Sequence, residues 1–172
     1  MHTKRLTRNA LLLALLIICS QLTIPLPGVP VTLQTLAVGL IASLLPLADG
    51  LAVIAVYIAV GCLGLPVFAN YTSGIAVLFG PLGGYLLGFL AYVLVVRLVL
   101  HFKQNRWGLY GANIAGALIQ LLVGSIWLIF FNHLTLAQAL LAGTVPFLLP
   151  GAIKIVLVVE FSLRLEKIRA LN

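Results

Sequence analysis

A lysine, Lys154, stands near the middle of the apolar run VPFLLPGAIKIVLVVEFSLRL at residues 145–165. Its ammonium can pair with a carboxylate or donate hydrogen bonds. Inside a membrane-spanning run it costs about 2.5–3.5 kcal/mol, so such residues face a protein interior or cavity and have a partner. The chain offers few partners, because its acids are only Asp49, Glu160 and Glu166. Glu160 lies six residues on, on another helical face, and is expected to pair with Arg164 one turn further along. Asp49 belongs to a turn between spans. Two readings stay open. The long stem snorkels to the outer interface, or a ligand carboxylate supplies the missing charge. Gln34, Asn70, Tyr71, Thr72, Ser73 and Tyr85 are uncharged polar groups in the outward half of the chain. Apolar walls, a few fixed polar groups and one charge suit a small amphipathic acid.

Catalytic chemistry is not legible. There is no G-x-x-x-x-G-K-[ST] phosphate loop, so ATP hydrolysis by that route is excluded. No Ser/His/Asp or Cys/His set has suggestive spacing. His2 is read in the N-terminal tail, His101 at the end of the fourth span and His133 in an outer connection, as surface or interface histidines. Cys19 and Cys62 lie far apart in apolar runs and lack metal-ligand spacing. No Asp, Glu or His cluster inside the spans marks a proton relay or cation path. The expectation is a binding protein, not an enzyme, with no cofactor and no metal.

These residues need elements to hold them. Of 172 residues, 63% are apolar and 8% charged, against roughly 25% charged in a soluble domain. The class is an all-α integral membrane protein, one membrane domain over residues 1–172. A spanning helix takes roughly 20 apolar residues. Six spans are read, at residues 8–24, 32–45, 50–63, 83–102, 109–131 and 139–163, the second of them short. PLADG makes a tight turn between the second and third. TIPLPGVPV, with three prolines, cannot be helix. GLGLPVFANYTSGIAVLFGPLGG is too apolar for a solvated loop, and non-helical backbone at this depth must be buried or line a cavity. It is expected to fold back over a pocket, as a re-entrant or capping loop between helices three and four.

The net charge of +7 reports topology. With the N-terminus in the cytoplasm, Lys4, Arg5, Arg8, Arg97, Lys103, Arg106, Arg164, Lys167 and Arg169 all fall inside, and the outward connections carry no Lys or Arg. Both termini are then cytoplasmic and nucleic acid is not an expected partner. The basic start and apolar run overlap with a signal-peptide pattern, but no small-x-small site closes it, so a retained first helix is expected. No internal repeat is visible. Gly39, Gly61, Gly88 and Gly116 are assigned to helix packing, and Trp107 and Trp127 to membrane-boundary or packing positions.

Three stretches carry a resemblance: IPLPGVPVTLQTLAVGLIASLL, GLPVFANYTSGIAVLFGPLGGYLLGF and PFLLPGAIKI. In order and spacing they resemble the BioY family, the membrane-embedded substrate-binding subunits (S components) of energy-coupling factor (ECF) transporters for biotin in prokaryotic cell membranes. The resemblance covers nearly the whole chain. It implies six helices, a pocket near the outer face, and partners in the form of a membrane coupling protein (EcfT) and two ATPase subunits. Asn70 matches a position that hydrogen-bonds the ligand head. Lys154 matches the lysine of the family's Asp-x-x-Lys element, but Gly151 stands where the aspartate is expected. Loss of that acceptor for the ureido N–H groups makes lipoate, or another vitamin-like acid, an alternative to biotin. Gln34, Tyr85 and Tyr71 complete the candidate ligand set, although Tyr71 also fits an interface anchor. Ala10 and Ala14 form a small-x-x-x-small pair, which the resemblance implies docks EcfT and which otherwise reads as helix packing. A solitary carrier without ATPases, and a structural membrane protein with an accidental lysine, are the competing functions.

Overall fold

The computed structural model describes residues 2–24 and 29–171. Pro25, Leu26, Pro27 and Gly28 of the expected non-helical TIPLPGVPV stretch lie outside the described residues, as do the side chains of His2, Glu166 and Arg169. Among the described residues seven α-helices follow one another: α1 His2–Gln21, α2 Gln34–Leu44, α3 Leu47–Cys62, α4 Gly83–Phe102, α5 Arg106–Asn132, α6 Leu136–Gly143 and α7 Val145–Leu171. Two short strands, β1 Thr23–Ile24 and β2 Val31–Thr32, pair antiparallel between α1 and α2.

Local chemistry explains the boundaries. The Asn105 side chain accepts the Gly108 N–H at 2.7 Å and opens α5. Thr135 and Gln138 form a reciprocal capping box at the start of α6, satisfying N–H groups that a helix end leaves unpaired. The sixth expected span is broken. The chain leaves helical geometry at Thr144 (φ −122°, ψ −54°) and restarts as α7. Pro146 lacks the N–H needed to carry α6 onward, and it disfavours helical backbone just before it. An apolar pattern running through the break hid it.

Among the described residues three helical stretches are long and apolar enough to cross a membrane by length and composition: Gly83–Phe102, Arg106–Asn132, and Leu136–Leu165 taken across the break. The apolar helices α2 and α3 are shorter, at 11 and 16 residues. Leu11, Leu98, Phe130 and Leu149 point outward, exposed. A soluble chain would bury them, and a bilayer accepts them. The core lies between α1–α4 and the facing sides of α5 and α7, with Leu16, Ile41, Ile54, Tyr57, Phe68, Tyr92 and Val159 fully or almost fully buried. Gly39, Gly61, Gly88 and Gly116 sit at close approaches, as expected. A Cβ on Gly88 would fall 3.0 Å from Gln120, and one on Gly61 would enter the Phe68 ring.

One end of the bundle collects the first turns of α1, the α2–α3 turn, the end of α4 and the start of α5. Asp49 there pairs with Arg5 and Arg8. Glu160 pairs with Arg106 across the α5–α7 interface, which corrects the expected partner Arg164. Both choices are long-range, and helical spacing along α7 carried no sign of the second. The other end gathers β2, the start of α2, the segment 63–82, the start of α4 and the first half of α7.

Candidate functional site

The segment between α3 and α4 packs against the end of α1. It is tied down from α1: Ser20 Oγ donates to the Val67 carbonyl at 2.6 Å and Gln21 Nε2 to the Phe68 carbonyl at 3.2 Å. Phe68, wholly buried, packs edge-on against Tyr57 at 5.5 Å between ring centres. Asn70 and Tyr71 both adopt left-handed backbone (φ 56° and 57°). That geometry is uncommon for a bulky residue such as tyrosine. It is pinned here, because Gln21 Oε1 accepts the Tyr71 N–H at 2.9 Å and Thr23 Oγ1 donates to Asn70 Oδ1 at 2.7 Å.

Behind Phe68 and Ala69 lies a cavity of about 70 Å³. Its walls follow helical spacing. Tyr85, Phe89 and Tyr92 come from one face of α4, Gln120 and Leu121 from α5, and Phe147, Gly151, Lys154 and Val158 from one face of α7. Thr32, Gln34 and Thr35 close it from β2 and α2. Lys154 is 8% exposed. Its Nζ donates to the Thr32 carbonyl at 2.7 Å and to Thr35 Oγ1 at 3.0 Å. The stem therefore turns inward and does not snorkel. Both acceptors are neutral, and an ammonium has three N–H groups. Asp49 and Glu160 are engaged at the far side of the molecule. Lys154 makes no ion pair among the described residues.

Gln34 Oε1 accepts from Thr32 Oγ1 at 2.9 Å, and its Nε2 donates to Tyr57 Oη at 2.6 Å. Tyr57 in turn donates to the Val67 carbonyl at 2.9 Å. This relay ties the cavity wall at α2 to the overlying segment. Tyr85 lends its ring to the wall and donates its hydroxyl to the Gly143 carbonyl at 2.9 Å, at the α6–α7 break. Gly151 adds only backbone, and a Cβ there would meet nothing within 4 Å. The site is thus a small apolar chamber with one positive charge at its wall and amides nearby. The described residues that line it include no nucleophile–base pair.

A model of the BioY family matches residues 1–170. The chain belongs to the BioY family. It is 45% identical over 168 residues to biotin transporter BioY2 of Lactococcus lactis subsp. cremoris, covering 97% of this chain and 91% of that one. It is 36% identical to biotin transporter BioY of Thermotoga maritima, covering 96% and 97% of the two chains. Its fold superimposes with a TM-score of 0.89 on the crystal structure of the S component for biotin from an ECF-type ABC transporter, at 30% identity over 96% of this chain and 92% of that one. Like its relatives, the chain is a multi-pass membrane protein and a transport subunit rather than an enzyme.

Of the residues singled out from sequence in this BioY chain, Lys154, Gln34 and Tyr85 line one cavity. Asn70 and Tyr71 do not. They follow Ala69, which does, and are exposed. Thr32, Thr35, Tyr92 and Gln120 line it without having been singled out. Thr35 had a signal, since it lies next to Gln34 in TLQT. Gln120 also had one: an amide in an apolar span that needs a partner or a cavity. It is buried, 3% exposed, at the cavity wall. Ala10 and Ala14 lie on the exposed face of α1 with Leu11 and Ile18. Packing within the chain therefore does not account for them.

Proposed function

We propose that this chain is the substrate-binding S component of an ECF transporter, a single membrane domain that takes up biotin, with Lys154 as the partner of the ligand carboxylate. One observation carries the reading: among the described residues, a buried lysine in an apolar chamber is held only by two neutral oxygens. A carboxylate entering the chamber supplies a charge that none of the described residues brings to Lys154. Gln34 and Gln120 supply amides for the ligand's polar head, and Tyr85 a ring against which it lies. The naming of the curated relatives and the likeness to a biotin S component support biotin as the acid.

A chamber of about 70 Å³ is below the roughly 300–1,000 Å³ of ordinary ligand pockets. Loading therefore requires the segment 63–82 to shift. We assign Asn70 and Tyr71 to that step. Their left-handed turn is closed by hydrogen bonds between Thr72 and its neighbours Phe68 and Ala69 and fastened to the α1 end by Gln21 and Thr23, and moving it carries the Asn70 amide toward the ligand head. The basic end of the bundle faces the cytoplasm, by the distribution of Lys and Arg. Ala10 and Ala14 give EcfT a face on α1 that a partner helix can approach closely, and two ATPase subunits complete the assembly. Ala14→Leu is expected to abolish copurification with EcfT while leaving ligand binding intact.

A second reading, lipoate, is favoured by Gly151. The position lines the chamber, offers open space and brings no acceptor for ureido N–H groups. Titration of biotin, then lipoate, into the purified chain separates the two. Tight biotin with weak lipoate supports the first reading, and the reverse order the second. Binding of neither contradicts the S-component assignment.

A further inference from the structure

A second cavity of about 800 Å³ opens at the basic end, between the first turns of α1, the α2–α3 turn, the end of α4 and the start of α5. Lys4, Arg5, Arg8 and Arg97 line it against one carboxylate, Asp49. That carboxylate is already taken. Arg5 Nε donates to both its oxygens, at 2.8 and 2.9 Å, and Arg8 reaches it at 3.5 Å. Two guanidinium groups are left with unspent donors. Among the described residues Arg97, five residues before the end of α4, donates only to the Ser43 carbonyl at 3.5 Å, and Arg8 Nε is buried with no hydrogen-bond partner. An arginine in a spanning helix needs an interior partner or a water-filled cavity, and its planar fork matches the oxygens of a phosphate.

We propose that this cavity is a binding site for a phosphate group, held by Arg8 and Arg97. The remaining lining fits a phosphate that carries acyl chains. Leu44, Leu45, Leu100 and Leu109 stand beside the cations. The excess of Lys and Arg places this end at the cytoplasmic leaflet, where basic pockets between helices take anionic head groups. The same chemistry admits free phosphate, and the experiment separates the two sources. The site is distinct from the chamber around Lys154, and it does not rest on what that chamber binds.

The test is native mass spectrometry of the full chain in detergent, titrated in parallel with phosphatidylglycerol, phosphatidylcholine and inorganic phosphate. The expected result is retention of phosphatidylglycerol at a concentration about tenfold below phosphatidylcholine, as for other charge-assisted contacts. Arg97→Gln and Arg8→Gln each remove that preference. Arg8 is partly exposed, so its variant decides the matter if Arg97→Gln does not fold. If inorganic phosphate binds and phosphatidylglycerol shows no preference, with the same dependence on both arginines, the source is free phosphate and the site stands. Equal retention of the two lipids that neither arginine variant changes, without phosphate binding, overturns the proposal. So does a preference that survives either folded variant.

Discussion

The chamber around Lys154 and the cavity around Arg97 occupy opposite ends of the same bundle and are built on opposite terms. The first holds about 70 Å³, with a single cation whose partners are a backbone carbonyl and a hydroxyl. The second holds about 800 Å³ and is lined by four cations and one carboxylate, which pairs with two of them. Between them runs one buried polar chain. Tyr92, on the wall of the chamber, donates to Asn113 Oδ1 at 3.0 Å. Asn113 Nδ2 donates to Ser43 Oγ at 3.1 Å, and Ser43 lines the basic cavity. Asn113 itself is wholly buried. The contrast shows that a charge means different things by its surroundings. Among many cations near an aqueous face, one more sets orientation. Alone among leucines and valines, one is the proposed partner of a ligand carboxylate.

The largest expected effect lies in the chamber. Lys154→Ala removes one partner of a buried charge pair, a loss of about 2–5 kcal/mol. Biotin affinity should fall about 30-fold or more, read by titration calorimetry, while the protein stays folded, because an expensive buried charge has gone. An affinity close to wild type would erase the distinction between the two cavities. Gly151→Asp comes next. It places an acceptor in open space three residues before Lys154, and the biotin-to-lipoate affinity ratio should rise about tenfold, the worth of roughly one charge-assisted hydrogen bond of about 1.5 kcal/mol. An unchanged ratio would mean that Gly151 does not set the choice of ligand.

Smaller effects probe the boundary and the basic end. Asn113→Leu strands Tyr92 Oη and Ser43 Oγ. It should cost about 1–3 kcal/mol for each stranded group, read as a lower thermal midpoint. An undisturbed midpoint would show that the polar chain contributes nothing to the partition. Last, Lys4→Gln should leave biotin affinity within about twofold, since distant sites add independently to within about 0.3–0.5 kcal/mol. A larger change would show that the two cavities are coupled.

The sequence made some of this contrast visible and hid the rest. Lys154 and Gln34 were legible because a polar group in an apolar run is costly wherever it lies. α4 was readable end to end because glycines precede it and the polar stretch Lys103–Gln104–Asn105 follows it. The basic cavity was not legible. Its cations read as an orientation signal, and only tertiary packing brings α1, the α2–α3 turn and α4 around one space. The pairing of Glu160 with Arg106, 54 residues away, was hidden for the same reason. Asn70 shows the opposite limit. A motif marks it, yet its backbone turn and its bond to Thr23 keep it out of the chamber wall.

The most direct test of the central claim compares biotin with its neutral amide, biotinamide, on the purified wild-type chain and on Lys154→Ala. If the ammonium meets the ligand carboxylate, the wild type should prefer biotin about 30-fold or more, and the variant should bind both compounds equally weakly. A wild type that binds acid and amide alike, or a variant that keeps the preference, would contradict the assignment of Lys154 as the carboxylate's partner.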